Sequence, residues 1–301
     1  MGYLNKTLET PQLSALSGLF SSRLVRELAK KGYSPMFARL ARESSLLELA
    51  DLVAPIGNFF DLAFSVLKHK SCRHEYIYRA AITHKVLLGK HSLSTSVMLN
   101  EFRVCNNKAD AVILNGTSTV YEIKSERDTL SRLEQQIDSY CKVFARVNVI
   151  TGENHLNAVM NMVPRDVGVL LLTDRYQIST IREALDLPSR TIPDAVFDAI
   201  QLSEAKKILK INGFDIPNVP NTQMYTRLRS LFQKLSPDMA HDGMVQVLRS
   251  SRSLMPLCDL IQALPDSIQP AILNTPMRKK DHENLLTAIN CIPLEEALNW
   301  G

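Results

Sequence analysis

The spacing of apolar and polar positions differs in three zones of the chain. Residues 1–75 and 181–301 repeat apolar side chains at the spacing of α-helices, with proline and glycine between the segments. Residues 76–180 also contain short runs of β-branched and aromatic residues, which are typical of strands. We therefore expect a helical N-terminal region, a mixed core and a helical C-terminal accessory domain, with these boundaries.

Cap residues predict where several helices begin and end. Ser34 and Ser236 each precede a proline, an arrangement typical of an N-cap followed by the first helical residue. Gly32 closes the segment SGLFSSRLVRELAKKG, whose last turn is basic, and it predicts a helix end. None of these signals indicates chemistry.

The core pattern predicts an α/β fold with a mixed sheet. Its five strand-like segments are FRVC, ADAVIL, TVYEIK, VNVIT and VGVLLLT. One helical segment, HEYIYRAAITHKVLLG, precedes the first strand. Another, DTLSRLEQQIDSYCKVF, has an apolar stripe and separates the third strand from the fourth. The predicted order is helix, three-stranded meander, helix, strand, crossover and strand, which gives a central sheet flanked by helices.

The hairpin between ADAVIL and TVYEIK contains the first candidates for chemistry. An Asn-Gly turn at 115–116 joins the two strands. A regular two-residue loop would place Asp110 and Glu122 on opposite faces, because side chains alternate along a strand. A three-residue loop at 114–116 would place them on one face as diagonal neighbours, with Lys124 beside them. A functional role therefore predicts the odd loop.

Two carboxylates on one face suit a hard divalent cation. Mg²⁺ prefers oxygen ligands, so Asp110 and Glu122 are candidate ligands, and the backbone carbonyl of Ile123 is a third. Such a cation polarises a scissile phosphate and lowers the pKa of a bound water. Lys124 could orient that water or stabilise the developing charge. The alternative is that Glu122 and Lys124 form a solvated surface pair, as charges on a strand usually do.

Further candidates lie on either side of the hairpin. Gln136 and Tyr140 are four residues apart, on neighbouring turns of the predicted helix. The Gln136 amide can contact a substrate phosphate or a metal-bound water, whereas Tyr140 also belongs to the apolar stripe and could be a core aromatic. Glu101, expected just before the first strand, is a further candidate acid. Glu75 competes for that role, and either could be an ordinary exposed glutamate.

The order of these segments has a counterpart in a known group of enzymes. The chain resembles the PD-(D/E)XK nuclease superfamily, which has the restriction-endonuclease-like fold. Four segments carry the resemblance: EFRV from Glu101, AD ending at Asp110, YEIKS from Tyr121 and QIDSY from Gln136. The chain is most similar to the RecB-like branch, in which a QxxxY motif follows the E-x-K strand on a helix. It also resembles a family of small bacterial and phage proteins. The resemblance covers residues 76–175, about a third of the chain.

For the hairpin, the resemblance implies a metal-dependent active site. Asp110 and Glu122 would be the metal ligands and Lys124 the catalytic lysine, with Mg²⁺ or Mn²⁺ as the cofactor. Ala109 stands where the motif has its proline, a change that leaves the carboxylate in place. Since neither Glu122 nor Lys124 is expected to be a packing residue, substituting either should abolish cleavage and spare the fold.

Outside the hairpin, the resemblance implies that Glu101 is the acid of the first core helix and that Gln136 and Tyr140 form the accessory motif. The implied activity is hydrolysis of phosphodiester bonds in nucleic acid, DNA rather than RNA, in phage–host conflict, repair or recombination. The alternative is a non-catalytic interaction or nucleic-acid-binding protein whose helical regions bind a protein partner. Some RecB-like nucleases hold an iron–sulfur cluster, but the clustered C-terminal cysteines are missing here, so we predict none.

Composition changes this interpretation little. The 35 basic and 31 acidic residues give a net charge of +4, which is compatible with a nucleic-acid partner. Basic residues ahead of the core are candidates for phosphate contacts: Lys68, Lys70, Arg73, Arg79 and Lys85. The five cysteines include no CxxC pair, so reduced thiols are expected. Without a secretion signal in MGYLNKTLET or an uninterrupted apolar span, we expect a cytoplasmic protein that does not enter membranes.

Overall fold

The computed structural model describes residues 8–301, so most of the N-terminal segment considered for a targeting signal lies outside the described residues. The contacts within the chain define two units. One contains the chain up to His84 together with Met255–Gly301, and the other is Lys85–Leu254. The predicted zones divide the chain differently, because the helical region 181–301 contributes to both units.

The described residues form helices throughout and strands only in the second unit. The α-helices are α1 Thr10–Leu19, α2 Ser22–Lys31, α3 Pro35–Glu43, α4 Ile56–Leu67, α5 Glu75–Ile82, α6 Leu88–Lys90, α7 Leu133–Cys141, α8 Glu153–Met162, α9 Pro193–Ala199, α10 Leu202–Ile211, α11 Asn221–Phe232, α12 Pro237–Ser251, α13 Cys258–Ala263, α14 Gln269–Leu273, α15 His282–Cys291 and α16 Leu294–Ala297. The strands are β1 Val97–Val104, β2 Asn107–Leu114, β3 Ser118–Lys124, β4 Arg146–Thr151, β5 Gly168–Leu172 and β6 Ile178–Arg182. No helix of residues 8–301 is long and apolar enough to cross a membrane.

The caps predicted from the sequence are confirmed. The Ser34 side chain accepts a hydrogen bond from the backbone N–H of Phe37 at the start of α3, and Ser236 caps α12 in the same way. Gly32 ends α2 in the left-handed conformation, at φ 76°. The segment SGLFSSRLVRELAKKG is divided between α1 and α2, because Ser21 begins a new helix by capping it.

The second unit is an α/β unit built on one six-stranded mixed sheet in the order β1-β2-β3-β4-β5-β6. The first three strands form an antiparallel meander, β4 and β5 run parallel to β3, and β6 is antiparallel to β5. The five predicted strands and their order are therefore confirmed. The sequence missed β6, whose segment ISTIR has no buried residue and hence no apolar alternation to detect.

The β2–β3 hairpin has the odd loop that a shared face requires. Leu114 pairs with Ser118 and Ala111 with Tyr121, so three residues, 115–117, form the loop, with Gly116 at φ 109°. The predicted loop length is confirmed, although the loop begins one residue later than expected. Extending this register by one step places residue 110 opposite residue 122, rather than diagonal to it.

Helix α7 positions the second group of candidate residues. It lies against β2 and β4, and its buried residues Leu133, Ile137 and Tyr140 belong to the predicted stripe. Leu130 and Phe144, which complete the stripe in the sequence, lie just outside the helix. Because the stripe faces the sheet, side chains beside it on α7 are held over the hairpin strands.

Candidate active site

Glu122 and Lys124 form a buried ion pair at the end of β3. Lys124 Nζ lies 2.8 Å from Glu122 Oε1. Lys124 is only 6% exposed and Glu122 only 2%. Residues two apart on a strand share a face, so the pairing follows directly from strand geometry. The alternative of a solvated surface pair is wrong. Burial also makes both side chains part of the packing, contrary to the expectation that either can be removed without affecting the fold.

Gln136 and Tyr140 of α7 complete this pair. Lys124 Nζ donates to Gln136 Oε1 at 2.9 Å, and the Tyr140 hydroxyl donates to Glu122 Oε2 at 2.7 Å. The pKa of Tyr140 is raised above its usual range. Burial is the largest cause, and the charge of Glu122 and the hydrogen bond to it are the next two. Tyr140 therefore keeps its proton and acts as a donor. The four residues form one connected cluster, hereafter the EKQY cluster.

Asp110 lies beside the EKQY cluster and binds the backbone of β3. The backbone N–H of Ile123 donates to Asp110 Oδ2 at 2.7 Å, beyond the last backbone pair of β2 and β3, Ala111 with Tyr121. In an extended strand the N–H and C=O of one residue project to the same side, so the Ile123 carbonyl also faces β2. The Asp110 side chain thus occupies the gap where the two strands separate.

Glu101 does not join these residues. It lies within β1, not before the first strand and not in a helix, and it has a positive φ of 55°. Its carboxylate pairs with Lys108 at 2.6 Å, and both side chains are more than half exposed. Glu75, the competing acid, is the first residue of α5 in the other unit and pairs with Arg79.

Two of the basic residues proposed for phosphate contacts are buried. Arg73 and Arg79 are 1% and 8% exposed, and Arg73 Nε donates to the backbone carbonyl of Lys68. These arginines are therefore part of the packing of the first unit. Because they are buried, the prediction that they contact phosphates is wrong for these two residues.

The residues of the hairpin fit a hard divalent cation by the chemistry of their donors. Asp110 and Glu122 supply carboxylates, and Ile123 supplies a carbonyl oxygen, the ligand types that Mg²⁺ and Mn²⁺ take. Both oxygens of Glu122 are already hydrogen-bonded, and each keeps a second lone pair that a cation could use. Among residues 8–301, no group of three or more His, Cys, Asp and Glu side chains is arranged to hold a metal. A cation at this position would therefore need water or substrate oxygens as additional ligands.

Several supporting contacts were not predicted. The backbone carbonyl of Lys108 lies 3.1 Å from the Tyr140 hydroxyl, as a second and longer acceptor of the proton that is donated to Glu122. Thr151 Oγ1 donates to the backbone carbonyl of Lys124 at 2.9 Å. Asp128 accepts from both the N–H and the hydroxyl of Ser125 and so fixes the turn that follows β3. The Ser-x-x-Asp spacing is a turn signal that sequence analysis could have used, whereas the backbone contacts have no sequence signal.

The fold and the EKQY cluster define the class of the protein: an α/β protein with a mixed sheet that buries a charged cluster beside a three-residue hairpin. The family model of bacteriophage P4 protein cII matches residues 68–256, well over half of the chain. The chain therefore belongs to the bacteriophage P4 protein cII family. The matched residues include the whole sheet and the EKQY cluster.

Two individual proteins are similar to the chain over smaller regions. Protein cII of Enterobacteria phage P4 is 35% identical over 86 residues, which are 28% of this chain and 33% of that protein. The chain thus spans about a third of the length of this relative. The structure of SPO1766, a protein of unknown function from Silicibacter pomeroyi, is also similar. The match covers 46% of this chain and 93% of the SPO1766 chain, at 19% identity and with a TM-score of 0.29.

Proposed function

We propose that this protein is a metal-dependent nuclease that hydrolyses phosphodiester bonds of DNA. The observation that supports the proposal is the convergence of Asp110, Glu122 and Lys124 on one face of the hairpin, with α7 adding two polar contacts. The order β1–β2–β3, α7, β4 is also that expected of a restriction-endonuclease-like core in the RecB-like branch. The proposal joins the resemblance of the sequence to the geometry of the cluster.

Each residue has a distinct role in this proposal. Asp110, Glu122 and the Ile123 carbonyl would hold Mg²⁺ or Mn²⁺, which supplies charge stabilisation at the scissile phosphate and a more acidic water. Lys124 orients the attacking water and offsets the charge that develops on the phosphate. Tyr140 fixes one oxygen of Glu122, so that the other faces Lys124.

The test is cleavage of labelled linear duplex, circular duplex and single-stranded DNA, and of RNA, in Mg²⁺ or Mn²⁺. The variant Asp110→Asn removes a charged ligand but keeps an oxygen that accepts from Ile123, so the fold is preserved. We expect wild-type DNA cleavage that disappears in this variant and persists in Glu101→Gln, an exposed control. Equal rates for wild type and Asp110→Asn would contradict the proposal.

A non-catalytic role is the second candidate, and one observation favours it. The four side chains of the EKQY cluster satisfy one another and are almost fully buried. A closed network of this kind can specify the fold without having any other role. In that case the protein binds nucleic acid or a protein partner without cutting. Calorimetry would detect no Mg²⁺ or Mn²⁺ binding that depends on Asp110, and cleavage would be absent on every substrate.

The cellular setting is part of the same proposal. All five cysteines are free, which suits the reduced thiols of the cytoplasm. Membership of a family named after a phage protein supports a role in phage–host conflict, repair or recombination. The helical regions of the chain would provide surfaces for a protein partner.

A further inference from the structure

A second candidate site lies in the Lys85–Leu254 unit, at the opposite end of β3 from Lys124. It is an open pocket of about 650 Å³ whose wall includes Gly116 of the hairpin loop, Ser94 and the α12 residues Asp242 and Arg249. This volume is within the range of small-molecule sites, about 300–1,000 Å³. The pocket is separate from the EKQY cluster, because Gly116 precedes β3 whereas Lys124 ends it.

Arg249 supplies an unneutralised positive charge to this pocket. Arg249 is partly exposed, and its guanidinium makes no hydrogen bond or ion pair with any other residue from 8 to 301. A guanidinium in the wall of a pocket without a carboxylate partner favours an anion, and its fork of N–H groups matches a phosphate in particular. The side-chain amide of Gln246, one turn earlier on α12, is also without a partner in the described part of the chain and adds two donors.

The serines of the pocket contribute less than their number suggests. Ser96 Oγ donates to the backbone carbonyl of Ser92, and Ser250 Oγ donates to that of Val247, so neither hydroxyl proton is available. Among the α12 residues of the pocket, Arg249 and Gln246 are therefore the donors that remain for an anion.

The other end of the pocket carries a negative charge, that of Asp242. Asp242 is mostly exposed, and its Oδ1 is held by His241 Nδ1 at 2.9 Å, which leaves Oδ2 and the second lone pair of Oδ1 to accept from a ligand. Asp242 and Arg249 are seven residues apart, two helical turns, so their backbones are separated by about 10 Å on one face. A ligand that spans them needs an anion at one end and N–H donors at the other. The buried side chains of Leu93 and Val245 offer an apolar wall between the ends.

We propose that this pocket binds a nucleoside monophosphate. Its phosphate contacts Arg249 and Gln246, and the N–H groups of its base contact Asp242. Guanine suits the second contact best, because its N1–H and N2–H₂ groups are adjacent donors for one carboxylate. This site is independent of any nuclease activity, so the failure of one proposal leaves the other standing.

The test is isothermal titration calorimetry of the full chain with the four nucleoside 5′-monophosphates, guanosine, inorganic phosphate and a dipeptide of one acidic and one basic residue. We expect guanosine 5′-monophosphate to bind most tightly. Its affinity should fall about 10-fold or more in Arg249→Gln and in Asp242→Asn, since each loses hydrogen bonds to a charged group. Arg165→Gln, which removes an exposed arginine outside the pocket, should bind like wild type.

Four results would overturn the proposal. They are the absence of nucleotide binding at millimolar concentration, equal binding of inorganic phosphate and nucleotide, tighter binding of the dipeptide, and equal weakening in Arg165→Gln. Thermal unfolding of each variant shows whether it is folded. Because Arg249 and Asp242 are tested separately, an unfolded variant of one still leaves the other to decide the outcome.

Discussion

Two glutamate–lysine pairs in the same sheet have similar distances and opposite surroundings. Glu122 and Lys124 on β3 are 2.8 Å apart, and Glu101 and Lys108 on the β1–β2 hairpin are 2.6 Å apart. The first pair is almost fully buried and has two further polar partners from α7, whereas the second is more than half exposed. Each pair contains a glutamate that was a candidate for the active site, so burial and additional contacts, not distance, separate them.

The difference has an energetic consequence. Exposed ion pairs contribute about 0–1 kcal/mol, because water and salt screen them and ordering long side chains costs entropy. A buried pair has lost its water, so removal of one partner leaves an uncompensated charge and costs roughly 3–5 kcal/mol. A protein maintains such an arrangement when the cluster has a function or specifies the fold. Measurements of unfolding and of cleavage on matched variants separate these two reasons.

The largest expected effect is on the stability of the buried pair. Lys124→Ala should lower the free energy of unfolding by roughly 3–5 kcal/mol, because Glu122 is left buried and unpaired. Lys108→Ala, the matched change in the exposed pair, should lower it by less than about 1 kcal/mol. Urea unfolding measures both. Similar values for the two variants would show that burial does not distinguish the pairs.

A smaller effect is expected from the contact that Tyr140 makes with the buried pair. Tyr140→Phe removes one hydrogen bond to the Glu122 carboxylate and should cost about 1–3 kcal/mol near neutral pH. The folded pKa of Tyr140 is raised, chiefly by burial, so its contribution to stability is full below the unfolded pKa of about 10 and is lost as pH rises above it.

Above pH 10, therefore, wild-type stability should fall more steeply than that of Tyr140→Phe. Chemical unfolding at several pH values between 8 and about 11 measures the two slopes. Tyr121 provides an internal comparison, because burial raises its pKa to about 12 and it is present in both proteins. Parallel slopes would mean that Tyr140 is not held as a buried donor.

The smallest effect is expected from the exposed carboxylate. Glu101→Gln should change the free energy of unfolding by less than about 1 kcal/mol and leave DNA cleavage unchanged, because the Glu101 carboxylate is exposed and pairs with Lys108, outside the EKQY cluster. Thermal unfolding and the cleavage assay measure the two quantities. A loss of cleavage in a stable Glu101→Gln protein would return Glu101 to the active site and remove the distinction between the pairs.

The sequence predicted the parts of this arrangement that depend on local periodicity. The strand segments and the spacing of Gln136 and Tyr140 follow from side-chain alternation and helical repeat, whereas the odd hairpin loop was predicted from the requirement that Asp110 and Glu122 share a face. Two kinds of feature escaped it. Glu101 and β6 lie where the apolar pattern is weak, and the grouping of helices into units depends on contacts between distant segments. Burial of Glu122 and Lys124 likewise depends on where α7 packs.

The most direct measurement is DNA cleavage in Mg²⁺ by the double variant Glu122→Gln/Lys124→Met, with its unfolding free energy determined in parallel. Both substitutions nearly keep side-chain volume and remove both charges together, so no buried charge is left unpaired. If the cluster is hydrolytic, the double variant should remain folded, with a free energy of unfolding close to that of wild type, and should not cut DNA that wild type cuts. Wild-type cleavage rates in the folded double variant would contradict the assignment of the active site to this cluster.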